Sequence, residues 1–234
     1  MSSPVRPSGD ASPSAPALRI SYTLGTLQEH DLRASPLEQF RAWFGEAVES
    51  GLQEPNAMVL ATADAAGRPS TRTVLLKDVD DRGFVLYTNL ESRKSRELAV
   101  NPAASCLFPW LSLHRQVVVV GRAELVDRDE VGEYFRSRPR GSRLGAWTSH
   151  QSAVIHDRHE LDERLAALEQ KYPGEADIPV PDFWGGWLVR PESVEFWQGR
   201  PSRLHDRLRF RSLVGDAPAS LSAPDDWTVE RLSP

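Results

Sequence analysis

Apolar positions recur at two different periods along this chain, and each period marks a different kind of segment. Phe40, Trp43, Phe44 and Val48 repeat at helical spacing behind Ser35-Pro36-Leu37-Glu38, which combines an N-cap, a proline at the first helical position and a glutamate three after the cap. Beyond that helix the pattern shortens to β-type runs at Ala57–Ala63, Ser70–Lys77, Phe84–Asn89, Arg115–Val126, Gly186–Arg190, Ser193–Gln198, Arg203–Phe210 and Trp227–Leu232. Ala65-Ala66-Gly67 and Asp78–Gly83 read as links between them. Three more helices are predicted: from Ser92 toward Val100, from an Asp127 cap to about Arg136, and over Asp157–Lys171 before Pro173-Gly174. Closely spaced strands with hairpin-length links predict an antiparallel sheet closing into a barrel. The fold class is α+β, mainly β, with peripheral helices.

Composition narrows the picture. The 234 residues allow one large domain or two small ones. Residues 1–17, rich in Ser, Pro and Ala, are expected to be disordered, leaving 18–234 as the folded part. A net charge of −5 argues against a general nucleic-acid binder. The single cysteine, Cys106, lies in the apolar run Ser105–Trp110 and reads as a small core residue. No apolar run approaches a membrane span, and the N-terminus lacks a signal-peptide layout, so a reducing, cytoplasmic setting is expected. Neither GxGxxG nor GxxxxGK[ST] is present, and HExxH and GxSxG are also missing.

Four segments carry candidate chemistry. In Phe196–Arg207 (FWQGRPSRLHDR), two-residue spacing puts Arg203, His205 and Arg207 on one face if the segment is extended. That face suits an anionic or electron-rich ligand, and equally the solvated side of an edge strand. Tyr87–Ser95 ends a strand and opens a helix with Arg93 and Lys94 in its first turn, where cations oppose the helix dipole unless an anion sits there. Arg72–Lys77 is a strand with charged ends, able to contact phosphate or simply to snorkel. In Tyr134–Ser142, Tyr134 and Arg138 share a helical face if the helix reaches Pro139, and Ser142 falls in the adjoining loop; an ordinary basic helix end explains them too.

Taken in order, these segments resemble the pyridoxine (pyridoxamine) 5′-phosphate oxidases. The resemblance rests on Arg72–Lys77 (RTVLLK), Tyr87–Lys94 (YTNLESRK), Phe108-Pro109-Trp110, Arg115-Gln116-Val117, Tyr134–Ser142, Gly145-Ala146-Trp147, Gln151-Ser152, Phe183–Gly186 (FWGG), Glu195–Gly199 (EFWQG) and Arg203–Arg207 (RLHDR), and spans about Leu18 to Pro234. It implies an FMN-binding split barrel acting as a homodimer, with a C-terminal dimerisation region and FMN at the subunit interface. It assigns FMN contacts to Arg72, Lys77, Tyr87, Thr88, Arg93, Lys94, Gln116, Gln151, Ser152, Trp197 and Arg207. It assigns substrate contacts to Lys77, Tyr134, Arg138, Ser142, Arg203 and His205, with Arg203 and His205 as the catalytic pair. Arg19 and Tyr22 fall where the family has a segment closing over the active site. Gln28-Glu29-His30 stands where some members carry an arginine cluster associated with a secondary product site.

The implied reaction is oxidation of pyridoxamine or pyridoxine 5′-phosphate to pyridoxal 5′-phosphate, with dioxygen as electron acceptor and hydrogen peroxide as product. A non-catalytic pyridoxal-phosphate or flavin carrier on the same barrel is the alternative, separated from the oxidase by turnover against stoichiometric binding. A split-barrel reductase using another donor would lack Arg203 and His205, and both are present.

Overall fold

The computed structural model describes residues 20–174, 176–215 and 217–234. The 1–17 segment and Arg19 lie outside the described residues. Among the described residues nine strands, β1 (Ala57–Ala63), β2 (Pro69–Leu75), β3 (Asp78–Val79), β4 (Phe84–Asn89), β5 (Ala103–Trp110), β6 (Arg115–Leu125), β7 (Trp184–Gln198), β8 (Asp206–Ser212) and β9 (Trp227–Arg231), form one antiparallel sheet. Around it lie α1 (Pro36–Glu49), α2 (Arg93–Val100), α3 (Arg128–Ser137), α4 (Arg140–Thr148) and α5 (His159–Lys171).

The sheet runs β2-β1-β5-β6-β7-β4-β3, with β8 and then β9 added on β7. The long β7 makes this branching possible. Its first half pairs with β4 and its second half with β8, while β6 runs along both. The register slips between Val120 and Gly121, opposite Ser193 and Pro191, so Glu192 is an extra residue. A bulge is where a proline fits inside a sheet, because the ladder is already interrupted there. The sequence breaks this strand in two at Pro191-Glu192; in the fold it is one bent strand.

α1 begins as its sequence dictates: the Ser35 hydroxyl accepts the Glu38 amide at 3.3 Å, and Pro36 occupies the first turn. Its buried face is Phe40, Trp43 and Ala47, whereas Val48 is 52% exposed because it falls at the rim of that stripe. Phe40 meets Phe84 and Phe108 edge-on at 4.9 and 5.1 Å, and Trp43 meets Phe196 at 5.3 Å. These rings fill the sheet's concave face together with Val117, Val119 and Leu208. Cys106 lies in this core, where burial pushes its thiol up to about 12. α4 and α5 pack on a smaller cluster of Phe135, Leu144, Ala146 and Ile178. No helix among the described residues is long and apolar enough to cross a membrane.

Candidate active site

Two clefts contain nearly all the residues singled out in the sequence. The first, about 760 Å³, is lined by β2, the end of β4, the first turn of α2 and the α3–α4 junction. It collects Arg72, Lys77, Tyr87, Thr88, Arg93, Lys94, Tyr134, Arg138, Ser142, Gln151 and Ser152.

On one wall sits a cationic cluster. Lys94 is only 8% exposed, and its ammonium donates to Gln151 Oε1 at 2.7 Å and Ser92 Oγ at 3.2 Å. It has no carboxylate partner among the described residues, and burial, with Arg72 nearby, lowers its pKa to about 8. Gln151 Oε1 also accepts from Thr88 at 3.0 Å, and the Ser152 hydroxyl accepts the Arg93 amide at 3.2 Å. The Gln151–Ser152 turn is thereby tied to the N-terminus of α2. No acidic residue lies in that helix's first turn, so of its two cations Arg93 pairs one turn on with Glu97 and Lys94 stands without a counter-charge.

Arg72 is fixed from behind. Its guanidinium donates to Leu60 O at 3.2 Å, to Thr62 Oγ1 at 2.6 Å and to Ser70 Oγ, and lies 3.4 Å from Glu97. Glu97, on α2, also accepts from Thr62 and Ser70 at 2.5 Å and from Arg93 Nε at 2.8 Å. Burial works against its ionisation, but the bonds from Ser70, Thr62 and Arg93 outweigh it and hold the carboxyl at about 2. Glu97, Thr62 and Ser70 were missed in the sequence; the i,i+4 spacing of Arg93 and Glu97 was the available signal.

Across the cleft, Tyr134 stacks on Tyr87 at 3.9 Å, nearly parallel, and burial followed by the nearby Glu130 carboxylate raises the Tyr87 pKa. Gly186 makes this placement possible: a Cβ there would lie 2.9 Å from the Tyr87 ring. α3 ends at Ser137, one residue short of Arg138, which caps it in extended backbone. Arg138 therefore reaches the cleft from the α3–α4 corner, its guanidinium 4.2 Å over the Trp184 ring. Its Nη1 is buried without a partner among the described residues, and burial lowers its pKa. Ser142, expected in a loop, stands in the first turn of α4, whose N-terminus likewise lacks an acidic residue.

The second cleft, about 600 Å³, is lined by Ile20, Ser21, Tyr22, Gln116, Trp197, Arg200, Ser202, Arg203 and His205. It shares no lining residue with the first in one chain. Here the extended reading of Arg203–Arg207 fails. β8 begins only at Asp206, and Pro201–Arg203 form a 3₁₀ turn with Ser202 and Arg203 at φ 58° and 62°. Left-handed backbone at two successive non-glycine residues is costly and persists only where the surroundings enforce it. Arg203 and His205 leave this turn toward the cleft, while Arg207 lies on β8 and pairs with Glu195 at 2.7 Å, outside both linings. Tyr22 packs edge-on against His114, His205 and Trp197 at 4.6, 5.6 and 5.8 Å. A Cβ at Gly199 would lie 2.8 Å from its ring.

Residues 44–172 match the family model described as pyridoxamine 5′-phosphate oxidase, and residues 184–234 match the pyridoxine 5′-phosphate oxidase C-terminal dimerisation region. The chain belongs to the pyridoxamine 5′-phosphate oxidase family. Pyridoxine/pyridoxamine 5′-phosphate oxidases from Salinispora arenicola and Acidothermus cellulolyticus are 55% and 54% identical to it, covering 97% and 92% of this chain and 98% and 93% of theirs. Among solved structures, PhzG of Burkholderia lata, in complex with tetrahydrophenazine-1-carboxylic acid, superposes with a TM-score of 0.80 at 29% identity over 90% of this chain and 99% of its own. A pyridoxamine 5′-phosphate oxidase-related, FMN-binding protein from Nostoc punctiforme shares the fold, with a TM-score of 0.64 at 16% identity over 83% and 97%. The family's sheet with peripheral helices is thus the split barrel. The dimerisation region corresponds to β7, β8 and β9 with the turn that carries Arg203 and His205.

Proposed function

We propose that this protein is an FMN-dependent oxidase converting pyridoxamine 5′-phosphate and pyridoxine 5′-phosphate to pyridoxal 5′-phosphate. The observation that carries the reading is the presence, in one cleft, of two separate groups seeking an anion: the buried Lys94 with Arg72 and Arg93, and the unpartnered Arg138 nitrogen beside the α4 N-terminus. Two helix N-termini with no acidic residue in their first turns are suited to two phosphates, which a phosphorylated flavin and a phosphorylated vitamin would bring together. The residues therefore fit FMN: Arg72, Arg93, Lys94 and Ser152 would hold its phosphate, and Thr88, Gln151 and Tyr87 its remaining polar edge.

When bound, FMN would supply the acceptor for the two electrons leaving substrate C4′, which dioxygen then collects to give hydrogen peroxide; when the substrate is the amine, water would supply the aldehyde oxygen and ammonia would be released. Tyr134, Arg138 and Ser142, with Lys77, would grip the substrate phosphate and fix its orientation. Arg203 and His205 stand in the other cleft, so we infer a homodimer in which the second cleft of one copy closes over the first cleft of its partner. The match of 184–234 to a dimerisation region supports that arrangement, and FMN would then lie at the subunit interface, with Gln116, Trp197 and Arg207 on the partner's side.

The test is an absorbance spectrum of the purified, FMN-loaded protein, followed by anaerobic addition of pyridoxamine 5′-phosphate. Bleaching of the yellow colour, and pyridoxal 5′-phosphate on return to air, is the expected result. A colourless protein after FMN addition, or binding without turnover as in a carrier, would end the reading.

A further inference from the structure

His205 is held in a way that fixes where its proton lies. The Arg200 backbone nitrogen is 3.0 Å from His205 Nδ1. A backbone N–H can only donate, so Nδ1 must present its lone pair, and the single proton of the neutral ring sits on Nε2. That nitrogen has no protein partner among the described residues, and His205 lines the second cleft.

The bond depends on the shape of the turn between Arg200 and Asp206, and that shape has its own anchor. Asp206, buried at the start of β8, accepts Arg200 Nη1 at 2.9 Å and the Leu27 amide at 3.0 Å on one oxygen, and Arg231 Nη1 at 3.1 Å on the other. One carboxylate thus ties both ends of the turn to the N-terminal segment carrying Tyr22 and to the last strand. Five residues of loop, two of them left-handed, separate Arg200 from Asp206, and the ion pair between these two clamps the ends.

We infer that Arg200 and Asp206 are positioning residues that lock His205 as its Nε2–H tautomer, making it a hydrogen-bond donor to the substrate and not the group that takes the substrate's proton. This rests on the oxidase reading and deepens it. To become an imidazolium, the ring would have to give up the Arg200 bond, since a protonated Nδ1 would confront another N–H. The charged and titratable groups around the ring act consistently with this. Arg203 on the same turn disfavours a second cation, Arg200 is itself neutralised by Asp206, and Tyr22 meets the ring edge-on. Burial and then Arg203 lower the His205 pKa, with Asp206 opposing.

The experiment is ¹⁵N NMR of histidine-labelled, FMN-loaded protein, with His205→Gln assigning one ring among six. The expected spectrum at pH 7 has a protonated Nε2 and an unprotonated Nδ1. An Nδ1–H tautomer or an imidazolium at that pH would overturn the inference. Arg200→Ala, which leaves the Leu27 and Arg231 bonds to Asp206 in place, should move the His205 titration toward that of an ordinary histidine, whereas Asp206→Asn loosens the same turn and also removes the carboxylate that opposes the downward shift. Each should also lower kcat about tenfold while FMN affinity stays within about twofold, and Arg200→Lys should restore part of the loss. An unchanged His205 titration in Arg200→Ala would refute the positioning role. The spectrum reads the resting protein, so it stands or falls separately from turnover of pyridoxamine 5′-phosphate.

Discussion

Replacing Lys94 by methionine should make the FMN-free protein more stable and its grip on FMN weaker. The Lys94 ammonium is buried against two neutral oxygens, Gln151 Oε1 and Ser92 Oγ, and its pKa falls from 10.5 to about 8. That fall corresponds to about 3 kcal/mol by which the fold disfavours the charged form. The sign follows from proton counting. Between pH 8 and 10.5 the unfolded chain holds the proton and the folded chain does not, so stability rises with pH across that window; below pH 8 the whole penalty is in force. Methionine keeps the apolar stem and removes the charge, at the loss of two hydrogen bonds to neutral acceptors. At pH 7 the net gain should therefore be about 1–2 kcal/mol, below the full penalty.

Binding should move the other way. A phosphate beside Lys94 and Arg72 supplies the counter-charge that the protein omits, and losing one charge-assisted bond to it costs about 1.5–3 kcal/mol, roughly 10- to 100-fold in Kd. Urea unfolding of the FMN-free protein measures the first effect, and quenching of flavin fluorescence during titration measures the second. FMN affinity of the unsubstituted protein should also decline above pH 8 as Lys94 loses its proton, a limb that Lys94→Met should lack. A variant that is less stable without FMN and binds FMN as tightly as before would refute the claim that this lysine is a strained anion ligand.

Three further outcomes are expected. Glu97→Gln should destabilise the protein by about 2 kcal/mol at pH 7, because Arg72 and Arg93 lose their shared carboxylate. Glu97 titrates at about 2 in the fold against 4.5 ordinarily, so its stabilisation is complete above pH 4.5 and fades as pH falls toward 2; urea midpoints showing the same gap at all pH values would mean lost packing instead. Arg138→Met should raise KM for pyridoxamine 5′-phosphate at least about tenfold and leave FMN titrations unchanged, since Arg138 belongs to the α3–α4 corner and not to the α2 cradle. Arg203→Ala and His205→Ala should keep FMN binding and lower turnover at least about tenfold, roughly 1.4 kcal/mol of barrier, and wild-type rates in either would remove their assigned role.

Much of this was legible in the sequence because it was local. The Ser35-Pro36 cap, the strands Ala57–Ala63 and Phe84–Asn89, and the helix after Ser92 all follow from patterns a few residues long, and each stands where the pattern puts it. What failed was set by distant contacts. Two-residue spacing in Arg203–Arg207 looks extended, but Asp206 is bound to Leu27, Arg231 and Arg200, contacts distant from the pattern or across the turn, and Ser202 and Arg203 stand in left-handed backbone. Ser142 looked like loop because Arg140–Thr148 carries two glycines and a weak apolar stripe. Its helix holds by packing Leu144 and Ala146 on Phe135 and Ile178. The Glu97 clamp joins α2 to β1 and β2, and only the Arg93 half of it is near in sequence.

Several of the places where local rules are broken fall in the two clefts. Lys94 is buried without a counter-charge, the first turn of α2 carries cations against its dipole, and Arg138 keeps an unpartnered nitrogen. On the other side, Ser202 and Arg203 hold a strained backbone. A protein selected for stability alone would replace each of these, and a hydrophobic residue at position 94 would be the simplest improvement. The first three share one remedy, an anion in the cleft, and two anions at two helix ends account for them with no further assumption. The strained turn answers to a different demand: it leaves His205 Nε2 without a protein partner among the described residues, on a side chain that lines the second cleft, while Asp206 anchors the turn's base, as the proposed hydrogen bond to substrate requires.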